Sequence, residues 1–248
     1  MESISNSGSA IGILSTEGIV LATEKKMISK LLDTGAVGCR REKMYKLDDH
    51  VAVAVAGLTA DANILINKAR LTAQQYLFTY QEPMPIDQLV RRLCDLKQGY
   101  TQFGGQRPFG VSFLYAGWDE RGGYQLYHSD PSGNYAGWKA HAIGANHQQA
   151  QNILNQDYKE DFSLKDAMKL ALKVLSKSMD STSLTSDKVE MSVVTRKGGD
   201  GEDAAMAGTG ASLDTDDWGV SFAYVTEAEL DPLCEEINKA EEEKASAS

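Results

Sequence analysis

RPFGVSFLYAGWDERGGYQLYHSDPSGNYAGWKAHAIG, residues Arg107 to Gly144, reads as three consecutive strands joined by two tight turns. Phe109 to Trp118 is apolar and aromatic, and Asp119-Glu120-Arg121-Gly122-Gly123 makes the first turn. Tyr124 to Ser129 alternates bulky and polar residues, as a half-buried strand does. In Asp130-Pro131-Ser132-Gly133-Asn134 the proline presets φ and the glycine accepts a positive φ, which makes the second turn. Tyr135 to Ile143 is then expected to continue the sheet. This meander lies between helical segments, and that setting decides the fold class.

Upstream, Ala10–Leu14 and Ile19–Ala22 flank a Thr16-Glu17-Gly18 turn and predict a hairpin. Val51 to Ala56 (VAVAVA) suits a strand covered on both faces. Ala60 to Phe78 keeps helical spacing at Ile64, Leu65, Lys68, Leu71, Thr72 and Tyr76 until Glu82-Pro83-Met84-Pro85 breaks it. Ile86 to Gln98 carries an apolar stripe at Ile86, Leu89, Val90, Leu93 and Leu96.

Downstream, His147 to Tyr158 predicts a helix with Ala150, Ile153 and Leu154 on one face. Ser163 and Asp166 resemble a capping box for another helix, whose buried face is Ala167, Leu170, Ala171, Val174 and Leu175. Val189 to Arg196 alternates as a strand, and Trp218 to Val225 supplies a last one. Thr226 caps a final acidic helix through Ile237. Residues 198–217 are Gly-, Ala- and Asp-rich without periodicity, which predicts a mobile loop, and 240–248 reads as a disordered acidic tail. Helices on the outsides of stacked sheets bury both helix stripes and both sheet faces. The order therefore predicts an α+β fold, a four-layer α-β-β-α sandwich, as a single domain over residues 1–239.

Composition narrows the class. A chain of 248 residues with 42% hydrophobic content can bury a large core. The longest apolar runs fall short of the roughly 20 residues a membrane helix needs, and MESISNSGSA lacks the pattern of a secretory signal. The three cysteines, Cys39, Cys94 and Cys234, match neither a disulfide framework nor a metal site and fit a reducing compartment. The net charge of −10 is concentrated after Lys197, where 14 acidic residues face 2 basic ones; the rest of the chain has 21 acidic and 23 basic. That distribution argues against nucleic acid and suits a solvated acidic tail.

The element order and several long words together resemble the proteasome core-particle subunits, of the α type rather than the catalytic β type. The words are SGSAIGI, GIVLATEKK, SKLL, the pair Glu42-Lys43 before Leu47-Asp48-Asp49, GLTADANIL, ARLTAQQY, YTQFGGQRPFGVS and YQLYHSDPSGNYAGWKAHAIG, and they cover Met1 to Lys197. The resemblance implies the N-terminal nucleophile hydrolase version of the sandwich and a seven-membered α ring stacked on a β ring. It also implies neighbouring α and β subunits and a regulatory particle or activator tails as partners. Ubiquitin-dependent protein degradation in the cytoplasm and nucleus follows, with no cofactor, metal or membrane.

In the catalytic members a Thr at the freed amino terminus uses its own amine as base, helped by an acid and a lysine on neighbouring strands. Aligned with their opening strands, IGILSTEGIVLATEKK places the nucleophile position on Gly8, the acid position on Glu24 and the lysine position near Arg40. Glycine has no side chain to attack with, Glu24 is one methylene longer than the usual Asp, and Arg40 cannot release a proton near neutral pH. No catalytic residue is therefore expected. The alternative is an active serine hydrolase with Ser9 as nucleophile; one residue closer to the strand, its side chain takes the opposite face. A further alternative is a binding protein outside any ring.

His50, His128, His141 and His147 share no metal spacing and read as structural or surface histidines. No Gly-rich segment precedes a helix with a phosphate-loop lysine, and Asp130 reads as an Asx-turn residue. From the residues alone Lys43 is an exposed lysine before a strand. The resemblance implies that it lines a pocket between neighbouring subunits and pairs with the terminal carboxylate of an activator tail. The chain starts inside the word EYAMESI of the α subunits, at Met1-Glu2-Ser3-Ile4; either the sequence begins late or this form lacks the axial gating segment, and gate function is not assigned to it.

Overall fold

The computed structural model describes residues 2–25, 43–179, 184–196 and 219–246. The predicted mobile loop at 198–217, together with Cys39, Arg40 and Glu42, lies outside them. A short helix α1 (Glu2–Ser5) leads into the hairpin β1 (Ala10–Leu14) and β2 (Gly18–Glu24). Then come β3 (Met44–Asp48), β4 (Val51–Gly57), α2 (Thr59–Tyr80) and α3 (Ile86–Gln102). The middle of the chain is β5 (Val111–Asp119), β6 (Gly123–Ser129), β7 (Tyr135–Gly137), β8 (Ala140–Ile143), α4 (His147–Asp157) and α5 (Leu164–Ser178). It closes with β9 (Val189–Arg196), β10 (Val220–Tyr224) and α6 (Glu227–Ser246). The fold is α+β, with two antiparallel five-stranded sheets in the orders β10-β9-β2-β1-β8 and β3-β4-β5-β6-β7.

Strand periodicity assigns the buried side chains to three separate clusters. In β2, Val20 and Ala22 face the helices α4, α5 and α6, with Leu170, Leu175 and Leu230. The alternate residues Ile19 and Leu21 meet Ala52, Ala54, Ala56, Leu114 and Ala116 of the other sheet. On that sheet Val51, Val53 and Val55 face α2 and α3, with Leu65, Leu89 and Leu93. The run VAVAVA thus carries its information in size rather than polarity. The branched valines pack against helices, and the alanines let the two sheets approach.

The meander departs from its expected form in the third strand. Only Tyr135–Gly137 continues the sheet, pairing with β6 from Tyr127↔Gly137 to Ser129↔Tyr135. Ala140–Ile143 instead joins the other sheet, opposite β1, with Ala10↔Ile143 and Ile13↔Ala140. The switch happens at two residues. Trp138 N–H donates to the Leu126 carbonyl in one sheet at 2.8 Å, and the next carbonyl, Lys139, accepts from Leu14 N–H in the other, also at 2.8 Å. Satisfying both backbones at the crossing forbids a continuous ladder.

The α2 face also differs. Ala62, Leu65, Ile66, Ala69 and Ala73 are buried, whereas Ile64 and Leu71 are exposed. The apolar spacing marked the helix correctly but not its inner side, because small alanines form the contact. Asp61, buried on the first turn, accepts both Nη atoms of Arg107 at 2.6 and 2.8 Å and the Gly110 N–H at 2.9 Å. That pair ties α2 to the start of the meander, and the Arg107 guanidinium holds the Asp61 carboxyl below its ordinary range.

Other elements match their patterns. Ser163 Oγ accepts from Asp166 N–H at 3.2 Å and donates to the Asp166 carboxylate at 2.7 Å. Every residue of the expected α5 face is buried. Asp130 Oδ1 accepts from the backbone of Ser132 at 2.8 Å and of Asn134 at 3.1 Å, as an Asx turn does. The last helix runs past Ile237 to Ser246, through most of the stretch expected to be disordered; Ala, Glu and Lys there are strong helix formers.

Candidate functional site

The ends of three strands meet at Gly8. Gly8 immediately precedes Ser9 and β1, Glu24 closes β2, and Lys43 precedes β3. The hairpin locks the first two. Glu24 N–H donates to the Ser9 carbonyl at 3.0 Å, and Ser9 N–H donates to Glu24 Oε2 at 3.2 Å. The Lys43 backbone is held by Val55 N–H, which donates to its carbonyl at 2.8 Å. A Cβ built on Gly8 would collide with Lys43 Nζ and stand 3.0 Å from Glu24 Oε2. The ammonium and the carboxylate therefore converge on the space that any side chain at position 8 would need.

This arrangement amends two expectations. Lys43 is not an exposed lysine, since the residue is half-buried and its ammonium fully buried. Among the described residues the cation beside Gly8 and Glu24 is Lys43; Arg40, where the spacing put it, lies outside them. From the opposite side Gly144, at φ 93°, approaches so closely that a Cβ there would lie 2.5 Å from the Gly8 carbonyl oxygen. Ala145 N–H donates to the Ser7 carbonyl at 3.0 Å. Ser9 Oγ donates to the Ala145 carbonyl at 2.8 Å, so its hydroxyl is engaged with the scaffold.

Two further polar groups were not visible in the sequence. Lys97, fully buried on α3, donates to Ser129 Oγ at 2.9 Å and to the carbonyls of Val111 and Asp130 at 3.4 Å each. It lies 4.7 Å from the centre of the Phe113 ring, and Tyr115 Oη meets Ser129 Oγ at 3.2 Å. Burial lowers Lys97 to about 8 and raises the neighbouring Cys94 thiol to about 11. Its signal was present, because one turn beyond Leu93 the apolar stripe lands on Lys97. The other group joins the sheets: His128 of β6 and His141 of β8 lie 4.5 Å apart between ring centres, and Trp138 stacks on His141 at 4.1 Å. Burial lowers both histidines to about 4. His50 Nε2 meets the Met84 carbonyl at 2.7 Å, and His147 Nδ1 meets the Gly144 carbonyl at 3.0 Å.

Among the described residues no group of three or more His, Cys, Asp or Glu is placed to hold a metal. Among the same residues no helix is long and apolar enough to cross a membrane.

Known proteins match this chain over most of its length. The family model described as proteasome subunit matches residues 4–194. Proteasome subunit alpha type-4 of Spinacia oleracea is 68% identical over 194 residues, 78% of this chain and 76% of that protein. Proteasome subunit alpha type-4-A of Arabidopsis thaliana gives the same identity and coverage. Proteasome subunit alpha type-4-1 of Oryza sativa subsp. indica is 61% identical over 202 residues, 82% of this chain and 80% of that protein.

Proposed function

The chain belongs to the proteasome subunit family, and on that premise we propose that it is a non-catalytic α-ring subunit of the proteasome core particle. In this role it holds its place in the ring, supports assembly of the β ring, and offers part of a docking site for activators in ubiquitin-dependent protein degradation. We place it in the cytoplasm and nucleus, in line with cysteines that form no disulfide framework in the sequence. Three separate apolar clusters, one between the sheets and one under each helical layer, support the four-layer α-β-β-α sandwich of the N-terminal nucleophile hydrolases.

The observation that carries the non-catalytic reading is the crowding at Gly8. The position of the family's nucleophile has no side chain, and the Lys43 ammonium stands in its place. Acyl transfer needs an attacking hydroxyl beside a base. The hydroxyl of the next residue, Ser9 Oγ, is committed to the Ala145 carbonyl. The purified chain is expected to cleave no fluorogenic peptide and to show no mature amino terminus at Ser9 by mass analysis. Turnover that disappears in Ser9→Ala would favour the serine hydrolase instead.

Membership of the α-type branch supports Lys43 as the cation that pairs with a tail carboxylate. The pairing is a charge-assisted bond between a compact ammonium and a planar anion. Lys43→Ala is expected to weaken activator docking about tenfold or more, while the ring still assembles. Unchanged activator affinity in assembled particles would remove this role.

A further inference from the structure

The Lys43 ammonium is buried, and the carboxylate that shares its space belongs to the chain itself. Glu24 is half-buried at the end of β2, and its orientation is set by the Ser9 N–H bond at 3.2 Å. The Lys43 backbone is held by the Val55 N–H, and its Nζ lies where a Cβ on Gly8 would stand. Gly144 packs against the Gly8 backbone, where a Cβ on Gly144 would lie 2.5 Å from the Gly8 carbonyl oxygen. Any outside carboxylate that approaches Lys43 Nζ therefore meets a resident one.

We propose that Glu24 is an internal competitor for the Lys43 ammonium and thereby sets how tightly this site takes a peptide's terminal carboxylate. This rests on the reading of Lys43 as a tail-binding cation. Two carboxylates close to one ammonium in a partly buried site repel each other, so the resident charge lowers the affinity for the incoming one.

The test uses assembled core particles that contain this chain as wild type, Glu24→Gln or Lys43→Ala. The probe is the C-terminal peptide of an activator, as the free acid and as the C-terminal amide. Gln keeps an oxygen acceptor for Ser9 N–H and removes only the charge. Glu24→Gln is expected to bind the free acid about three- to tenfold more tightly, with no gain for the amide, and Lys43→Ala is expected to lose the free acid's advantage. If Lys43→Ala loses binding while Glu24→Gln is unchanged or weaker, the competitor proposal fails and the tail-binding reading stands. If Lys43→Ala leaves binding unchanged, the tail-binding reading fails and this proposal falls with it. Where the Gln variant does not assemble, Glu24→Ala carries the same expectation and the same refutation.

Discussion

Lys97→Ala is expected to destabilise the purified chain by about 3–5 kcal/mol, measured as the shift in urea unfolding. The substitution opens a cavity beneath α3 and removes the donor shared by Ser129 Oγ and the carbonyls of Val111 and Asp130. Lys97→Met fills the volume, so most of that loss should return. The pH dependence separates the charge from the packing. Lys97 titrates at about 8 in the fold instead of 10.5, so above pH 8 the unfolded chain binds more protons than the folded one. Stability must then rise with pH. The rise is opposed from pH 9 upward, where the unfolded Cys94 thiol ionises while the buried one waits until about 11. The net gain falls between pH 8 and 9 and amounts to about 1 kcal/mol. It should be absent in Lys97→Met, and a gain of equal size in that variant would show that Lys97 is not its source.

Acid should act in the opposite direction through the histidine pair. His128 and His141 are held at about 4, against 6.5 for an ordinary histidine, chiefly because burial disfavours the charged ring. The positive charge of Lys97 and the proximity of His147 also lower His128, while Asp130 raises it. His128 and His147 lower His141 too, and its hydrogen bond to Gln151 raises it. The unfolded chain thus binds more protons between pH 6.5 and 4, so stability falls as pH falls through that window and levels off below it. After discounting for partial exposure and for coupling within the pair, the loss is on the order of 3 kcal/mol. His141→Phe retains a ring against Trp138 and cannot be protonated. It is expected to remove about half of the acid loss, read as unfolding midpoints at pH 7 and pH 4.5. An acid loss as large as in wild type would contradict this source.

What could be read in the sequence depended on how local its cause was. The Ser163–Asp166 cap and the α5 stripe are contained within one helix, and both were legible. The Asx turn at Asp130 is likewise settled within five residues. The third strand of the meander was misjudged because Trp138 and Lys139 answer to backbones in two different sheets, a constraint that no local alternation records. The inner side of α2 was misjudged because alanines, which carry little apolar signal, do the packing while Ile64 and Leu71 face outward. The site followed the same rule. Gly8 and Glu24 belong to one hairpin and were placed correctly relative to each other. Lys43, the cation found there among the described residues, comes from beyond the hairpin, where residue spacing alone did not point to it. The His128–His141 contact joins the two sheets and has no counterpart in the spacing of the chain.

Native mass spectrometry of this chain co-expressed with the other α-type subunits tests the assignment most directly. A place in the α ring predicts a single hetero-oligomer that contains one copy of this chain among its sister subunits, with no peptidase turnover of its own. A chain that stays monomeric at micromolar concentration in their presence would contradict it.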